Sequence, residues 1–313
     1  MKGAAAQRAL AAVERARIAV RRSPQRLTSL EEAAQAAALS PIRLHQVFAD
    51  IQGETFGAFV RRVRLEYACG LMRAHTDWTC TRIAHEAGFS ESSDFTRTFK
   101  RAFGLAPSRW DRVEPLNLRP DTDKNCQAAC DDSDTLGPVA FASVPTDQEW
   151  PVRVERQPPR RVAVLMIRNA NIGDNLRQGF DALEQWLEAR QQLSDERTML
   201  GLSYDSNYET QPEQYRYELA HEVDTDIESA GDVVVRTLPG GDAAVLSCRG
   251  GPEAFVPAWD YIGRVFLPAG RWVPGAGPAV ERYYNDPRPH GMAYWDMDCI
   301  QPIKTDTGEQ DAE

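Results

Sequence analysis

The feature that most constrains this chain is a repeat of two segments that begin fifty residues apart, at Leu30 and Cys80. The segments are LEEAAQAAALSPIRLHQVFADIQG and CTRIAHEAGFSESSDFTRTFKRAFG. The first matched pairs are Ala34 with Ala84, Ala37 with Ala87 and Ser40 with Ser90. After one inserted residue in the second segment the match continues with Leu44 and Phe95, Phe48 and Phe99, and Gly53 and Gly104. Each segment predicts a short helix, a tight turn and a second helix. The first part of the chain is therefore predicted to contain two copies of the same structural unit.

Local signals support these helices. Thr28 and Glu31 have the spacing of a capping box at the start of the first helix. Ser40 is placed to cap the next helix, with Pro41 at its first position, where proline is tolerated. Gly88 stands in the second turn, where a positive φ costs glycine little. The sequence therefore predicts two helix-turn-helix units, a geometry that can enter a DNA major groove.

The charge of the chain is divided between its two parts. Residues 1–112 hold 18 Lys and Arg against 11 Asp and Glu, a net charge of +7. Residues 113–313 hold 18 against 35, a net charge of −17. A basic domain suits phosphate binding and an acidic one does not. The charges therefore assign nucleic-acid binding to the first part.

The length of 313 residues predicts more than one domain. Residues 1–112 form the predicted helical domain, with an entry helix at its start and a long helix joining the two units. Residues 113–150 are rich in proline and aspartate and are predicted to be a solvated linker. Residues 151–304 form the second predicted domain, and 305–313 a disordered tail.

The second domain also carries an internal repeat. A strand pattern at 161–168 is followed by an amphipathic helix at 175–193 and two further strands. The same order recurs from 242–250, where Val164-Leu165 matches Val245-Leu246 at an offset of 81. We expect an α+β fold of two strand-helix-strand-strand halves. Their pseudo-twofold cleft is a natural ligand site.

The segment 26–112 resembles the DNA-binding domain of AraC/XylS-type transcription regulators. The resemblance rests on IAHEAGFSESSDFTRTFKRAFGLAPSRW, in which the pieces IAxxxGF, FxRxFKRxFG and PSxW keep the order and spacing of the family. It implies two helix-turn-helix subdomains joined by a helix and bound as a monomer to an asymmetric site. It also implies transcriptional activation, with double-stranded promoter DNA and RNA polymerase as partners.

The resemblance assigns two sets of side chains to DNA. Those implied to face bases are Ile42, His45 and Gln46 in the first unit and Ser92, Ser93 and Arg97 in the second. Those suited to phosphate are Arg43, Lys100 and Arg101, with Thr96 on the same outer face. Gln46 can pair with adenine and Arg97 with guanine, whereas the serines serve base or phosphate. The alternative for each is a solvated helix face. Because the first reading helix carries the acidic Asp50 behind its base-facing residues, the second unit is expected to dominate anchoring.

The segment 151–304 resembles the GyrI-like effector-binding domain of Rob-type regulators. The motifs are YRYELAHEV at 215–223, LPGGDAAVLSCRGGP at 238–252 and ERYYNDP at 281–287. The resemblance implies a small-molecule pocket between the two halves. It also implies a carboxylate at Glu281, a position that in this family often faces cationic, aromatic ligands.

Five residues are predicted to bind the ligand: Glu281, Tyr217, Trp259, Tyr283 and Trp186. A carboxylate among aromatic rings is costly unless it is paired, so a hydrophobic and possibly cationic small molecule is the expected effector. Two alternatives stay open. The aromatic residues can be core, and Glu281 can be a surface residue or pair with its neighbour Arg282.

Other functional classes are disfavoured by the sequence. It lacks a Ser/His/Asp order, an HExxH motif and a phosphate-binding loop, so we expect no enzyme, no cofactor and no metal. The Cys126 and Cys130 pair has no second pair of ligand spacing, which favours unpaired thiols over a redox or metal site. Two rival roles for the second domain remain, a protein-interaction module and a hydrolase that uses Glu281 with Tyr217.

The chain shows no apolar run near the ~20 residues that span a bilayer and no signal segment. It is therefore expected to be a cytoplasmic, nucleoid-associated bacterial protein without a membrane partner.

Overall fold

The computed structural model describes residues 2–26, 29–112, 150–168, 170, 174–194, 198–205, 210, 215–270, 272–275 and 277–305. The predicted linker, apart from Trp150, and the tail beyond Thr305 lie outside these residues, as do Cys126 and Cys130. Among these residues, the structure contains no helix with the length and hydrophobicity of a membrane-spanning segment.

Over its described residues, the first part of the chain consists of helices joined by short turns and contains no strand. Its helices are α1 (Lys2–Arg22), α2 (Leu30–Ala37), α3 (Pro41–Gln52), α4 (Phe56–Ala74), α5 (Cys80–Glu86) and α6 (Ser92–Phe103). Helices α2 and α3 form the first helix-turn-helix unit, and α5 and α6 form the second. The helical half of the predicted fold class is confirmed.

The caps follow the sequence with one correction. The N-cap of α2 is Ser29, whose Oγ accepts from the Glu32 amide at 3.1 Å, and Thr28 lies outside the described residues. The two turns share a left-handed residue at equivalent positions, Gly88 with φ +85° and Ala38 with φ +55°. Alanine has a Cβ that disfavours this conformation by about 1–2 kcal/mol. The first turn is therefore the more strained of the two.

Helix α4 belongs to both units, because its two ends pack into separate cores. Phe59 lies with Phe48 in the first core, which α1 completes. Met72 lies with Phe99 and Trp110 in the second. The long helix thus fixes the spacing of the two units, as the sequence predicted.

The second part of the chain is an antiparallel sheet with helices packed on one face. The strands are β1 (Arg153–Gln157), β2 (Arg160–Arg168), β3 (Met199–Ser203), β4 (Arg216–Glu222), β5 (Val233–Leu238), β6 (Gly241–Gly250), β7 (Trp272–Pro274), β8 (Ala279–Tyr283) and β9 (Trp295–Thr305). Over the described residues the sheet order is β1-β6-β9-β8-β3-β4-β2-β5, and β7 pairs with β9. The packed helices are α7 (Asn175–Glu188), α8 (Pro252–Tyr261) and α9 (Leu267–Ala269).

The predicted duplication is visible in the strand register. Val164 pairs with Ala220 in the first half, and Val245 pairs with Ile300 in the second. Strands β3 and β8 lie side by side at the centre, where Gly201 pairs with Glu281. That pair marks the pseudo-twofold axis.

Several boundaries differ from the prediction. Each half gains an edge strand that the sequence pattern did not predict, β5 beside β2 and β1 beside β6. Helix α7 ends at Glu188 rather than at residue 193. Helix α8 continues into α9 through a π-helical segment, Ile262–Phe266. Edge strands escape prediction because their pairing, and not their local pattern, defines them.

The helical domain docks on the sheet face opposite the helices, through buried ion pairs. Arg17 of α1 donates to Glu218 of β4 at 2.8 Å, and their side chains are 3% and 2% exposed. Arg236 of β5 donates to the other Glu218 oxygen at 2.6 Å and also to Glu14 of α1. The two domains thus share a closed network of two arginines and two carboxylates.

A second network surrounds Asp205, next to β3. Arg62 of α4 donates to the Asp205 carboxylate at 3.0 Å and to Glu66 at 2.7 Å, and Arg21 of α1 also donates to Asp205. Burial alone would raise the pKa of Asp205, but Arg62 and Arg21 outweigh it and hold that pKa well below its usual range. The ionised carboxylate therefore belongs to the docked state.

We expect docking to weaken in acid. The pKa of Glu218 is also lowered, because Arg236 and Arg17 outweigh the effect of burial. A carboxylate whose pKa falls on docking stabilises the docked state at pH values above its solvent-exposed pKa of about 4. This stabilisation is lost as the pH falls from that value through the lowered pKa of the docked state. Small-angle scattering should show a compact chain between pH 7 and 5 and expansion below about pH 4. Glu218→Gln should expand at higher pH, and a pH-independent radius would contradict the assignment.

Candidate DNA interface and candidate ligand site

The residues predicted to read DNA lie on exposed faces of α3 and α6. In α3, Ile42 is 75% exposed, and Arg43, His45 and Gln46 are exposed beside it. In α6 the exposed set is Ser93, Thr96, Arg97, Lys100 and Arg101, and Ser92 is half-buried. The opposite faces pack inward, so both helices present polar side chains to solvent.

Two predicted base readers of α6 already have acidic partners. Arg97 donates to Asp94 at 2.7 Å, and both side chains remain largely exposed. Ser93 donates to Glu91 at 2.9 Å. An exposed pair of this kind is worth about 0–1 kcal/mol, so DNA can displace it. Asp94 and Glu91 were not among the predicted site residues, although both are near in sequence.

Four of the five predicted ligand residues meet at the pseudo-twofold axis. Trp259 of α8 donates its indole N–H to Glu281 Oε1 at 3.2 Å. Tyr283 of β8 donates to Glu281 Oε2 at 2.7 Å, and the hydroxyl of Tyr217 donates to the same oxygen. We call Glu281, Trp259, Tyr283 and Tyr217 the carboxylate cluster.

The tyrosines of the carboxylate cluster act as donors. Burial, reinforced by the adjacent Glu281 carboxylate, raises the pKa of Tyr217 and Tyr283 well above the ordinary phenol value. Both hydroxyls therefore stay protonated at neutral pH and hold the carboxylate by neutral hydrogen bonds.

Further aromatic rings line one side of the cluster. Trp295 of β9 packs against Tyr283 with ring centroids 4.9 Å apart, and Phe180 of α7 packs against Tyr283 at 5.9 Å. Phe180 lies on the apolar face of the amphipathic helix that the sequence predicts at 175–193. A periodic apolar position does not distinguish core from ligand wall, so the sequence held no separate signal for it.

Gly201 makes room for the cluster. A Cβ at this position would lie 1.6 Å from the hydroxyl oxygen of Tyr217 and 2.3 Å from that of Tyr283. Gly201 is the strand partner of Glu281 across the pseudo-twofold axis. The two tyrosine hydroxyls occupy the space that a side chain at position 201 would fill. This role of Gly201 could not be predicted from the sequence, because it depends on the pairing of β3 with β8.

The structure places the remaining candidates elsewhere. The indole of Trp186 donates to the carbonyl of Ala230, and the Arg190 guanidinium lies over its ring. Arg282, the alternative partner of Glu281, points to the opposite sheet face and pairs with Gln157 and Asp298. The local pairing considered for Glu281 is therefore wrong, because adjacent strand residues face opposite ways.

An open cavity of about 460 Å³ lies on that opposite face, away from the carboxylate cluster. It is lined by Arg153, Ser247, Cys248, Arg249, Tyr284, Asp296 and Asp298. Its carboxylates are already paired, since Ser247 and Tyr284 each donate to Asp298 at 2.6 Å and Arg249 donates to Asp296 at 3.0 Å. This cavity is open and lined largely by charged and polar side chains that already have partners, so it suits an apolar ligand poorly. Among the described residues no group of three or more His, Cys, Asp or Glu is arranged to hold a metal ion.

Comparison with known proteins gives two matches along the chain. Residues 33–112 match a helix-turn-helix domain family, and residues 151–304 match the GyrI-like small molecule binding domain. The regulatory protein PocR of Salmonella typhimurium is 35% identical over 91 residues, which are 29% of this chain and 30% of PocR. The matched region therefore spans under a third of that relative.

The second domain has its own relatives. A DNA gyrase inhibitor of Cronobacter sakazakii is 30% identical over 132 residues, 41% of this chain and 81% of that protein. The crystal structure of the EcmrR C-terminal domain aligns at 13% identity and a TM-score of 0.43, covering 50% of this chain and 99% of that one.

The fold and these matches define a DNA-binding transcription regulator with a small-molecule-binding domain. The chain combines a helix-turn-helix domain of the AraC type with a C-terminal domain that belongs to the GyrI-like family, and the relatives that share its helix-turn-helix domain are transcriptional regulators.

Proposed function

We propose that this protein is a transcription activator that binds promoter DNA as a monomer and contacts RNA polymerase, under the control of a hydrophobic, cationic effector. The carboxylate cluster is the observation that supports the effector class. Glu281 is a carboxylate held by three neutral donors and surrounded by aromatic rings. Its negative charge has no cation within the cluster, so a cationic ligand would supply one and gain from the ring faces.

The effector class predicts a selective effect of Glu281→Gln. We expect the full chain to bind tetraphenylphosphonium at least about tenfold more weakly, which corresponds to about 1.4 kcal/mol. Binding of triphenylphosphine oxide, a neutral analogue, should change little. Isothermal titration calorimetry measures both.

The matched control is Glu188→Gln, the same change at an exposed position on α7, which should leave both ligands unaffected. Equal losses for the cation and the neutral analogue in Glu281→Gln would remove the carboxylate from the recognition of charge.

The assignment of α6 predicts different consequences for its two arginines. Arg97→Ala should weaken the specific site about tenfold and relax preference at one base pair, because a bidentate contact to guanine is lost. Arg101→Ala should weaken all sequences alike, because a phosphate contact positions without specifying. Sequence selection from a random pool, followed by anisotropy titrations, measures both effects. An unaltered base preference in Arg97→Ala would refute its role as a base reader.

A second candidate is a protein-binding role for the C-terminal domain. It is favoured by the name of the relatives called DNA gyrase inhibitor, which this domain resembles over most of their length. A gyrase supercoiling assay with the full chain tests it. Inhibition that is insensitive to Glu281→Gln, together with no cation binding, would favour this role over effector sensing.

A further inference from the structure

Alternate residues of strand β4 face the carboxylate cluster and the docked helical domain. We call the second domain, residues 151–304, the effector domain. Tyr217 faces the helices and belongs to the carboxylate cluster. Its neighbours Arg216 and Glu218 face the helical domain. This alternation follows from the strand geometry, in which successive side chains point to opposite faces.

The helical domain offers the C-terminal end of α3 to this strand. The buried guanidinium of Arg216 donates to the carbonyl of Gln52, and Arg168, at the end of β2, donates to the carbonyl of Ile51. The last carbonyls of a helix lack partners within the helix and carry partial negative charge, so cations there stabilise it. The first DNA-reading helix is therefore capped by two arginines of the effector domain.

Arg216 is also tied to the rest of the interface. Its guanidinium lies 3.3 Å from the carboxylate of Glu54, just beyond α3, and its backbone amide donates to Asp205 at 3.1 Å. On its other side Tyr217 precedes Glu218, which anchors Arg17 of α1. The residue before Tyr217, Arg216, contacts the end of α3, and the residue after it, Glu218, contacts α1. A shift of the β4 backbone at Tyr217 would therefore move contacts to both helices.

We propose that β4 couples the ligand site to the first DNA-reading helix, with Arg216 and Arg168 as positioning residues for α3. This inference rests on the proposed role of the carboxylate cluster as the effector site. A ligand that takes the place of the Tyr217 hydroxyl on Glu281 moves Tyr217 and with it the backbone of β4. The arginine caps on α3 then shift, which changes how α3 meets DNA while α6 keeps its own position.

Tyr283 provides an internal control for this coupling. Its hydroxyl contacts the Tyr217 hydroxyl and donates to the same Glu281 oxygen, but its backbone lies on β8. Its neighbours Arg282 and Tyr284 contact Asp298 on the open sheet face. The two tyrosines therefore bind one carboxylate, but the neighbours of Tyr217 pair with the helical domain, whereas those of Tyr283 pair with Asp298 elsewhere on the same sheet face.

The test compares Tyr217→Phe with Tyr283→Phe in the full chain by amide hydrogen exchange, without ligand. Tyr217→Phe should accelerate exchange in the C-terminal turn of α3 by at least about threefold, and Tyr283→Phe should leave α3 unchanged. Equal effects on α3, or no effect of Tyr217→Phe, would overturn the coupling. Because no ligand is used, this outcome is independent of whether a cation binds at Glu281.

A double-mutant cycle separates coupling from a merely structural role. Arg168 is exposed, so Arg168→Met should fold and should itself speed exchange at α3. When Arg168→Met is combined with Tyr217→Phe, the exchange rate at α3 should differ by at least about twofold from the product of the two single effects, because both substitutions act on the same caps. Combined with Tyr283→Phe, Arg168→Met should be additive. Additivity in both combinations would overturn the proposal.

Discussion

Replacing Glu218 by alanine is expected to lower the free energy of unfolding by about 3–5 kcal/mol, because it leaves buried charges without their partner. Arg17 and Arg236 both donate to this carboxylate, and the Arg17 side chain is 3% exposed. Glu14 alone would then face two arginines. We expect the helical domain to detach from the sheet before either domain unfolds. Chemical denaturation followed by tryptophan fluorescence measures the loss.

Glu222→Ala is the matched control on the same strand. Its ion pair with Arg160 is partly exposed, at 29% and 23%, and pairs of this kind are worth about 0–1 kcal/mol. A loss in Glu218→Ala no larger than that in Glu222→Ala would show that the buried network does not hold the domains together.

Gly201→Ala is expected to abolish measurable cation binding and to destabilise the effector domain by about 2–3 kcal/mol. The added methyl would lie 1.6 Å from the Tyr217 hydroxyl oxygen, so the rigid ring must leave its place on Glu281. Both the carboxylate cluster and the central strand pair are then disturbed. Calorimetric titration with tetraphenylphosphonium and a thermal melt of the full chain give the two effects.

The control for crowding is Gly263→Ala in the same domain, where an added Cβ would meet no atom within 4 Å. It should leave cation binding and the melting temperature nearly unchanged. Retention of wild-type cation affinity in Gly201→Ala would exclude the carboxylate cluster as the ligand site.

The helical domain could be predicted in detail because its signals are local. Ser40 and Gly88 mark helix ends within a few residues of themselves, and the matched phenylalanines report a helical period. The strained turn at Ala38 could not be predicted, since alanine carries no preference for positive φ.

The ligand site was predictable only in part. Glu281 was identified by family resemblance, and Tyr217, Trp259 and Tyr283 were chosen among the aromatic residues of the second domain; the structure brings these four together. Trp186 was chosen for its aromatic ring alone, and its contacts lie with Ala230 and Arg190.

By itself the sequence determined the helices, the two helix-turn-helix units and the duplication of the second domain, because caps, turns and hydrophobic periods act over a few residues. The tertiary structure alone decided which surfaces meet. Arg17 and Glu218 are 201 residues apart, and no local pattern links them. The pairing of Gly201 with Glu281 and the arginine caps on α3 likewise arise from strand register and domain docking. Buried charges find their partners only when the fold removes water from both, and that depends on the whole chain.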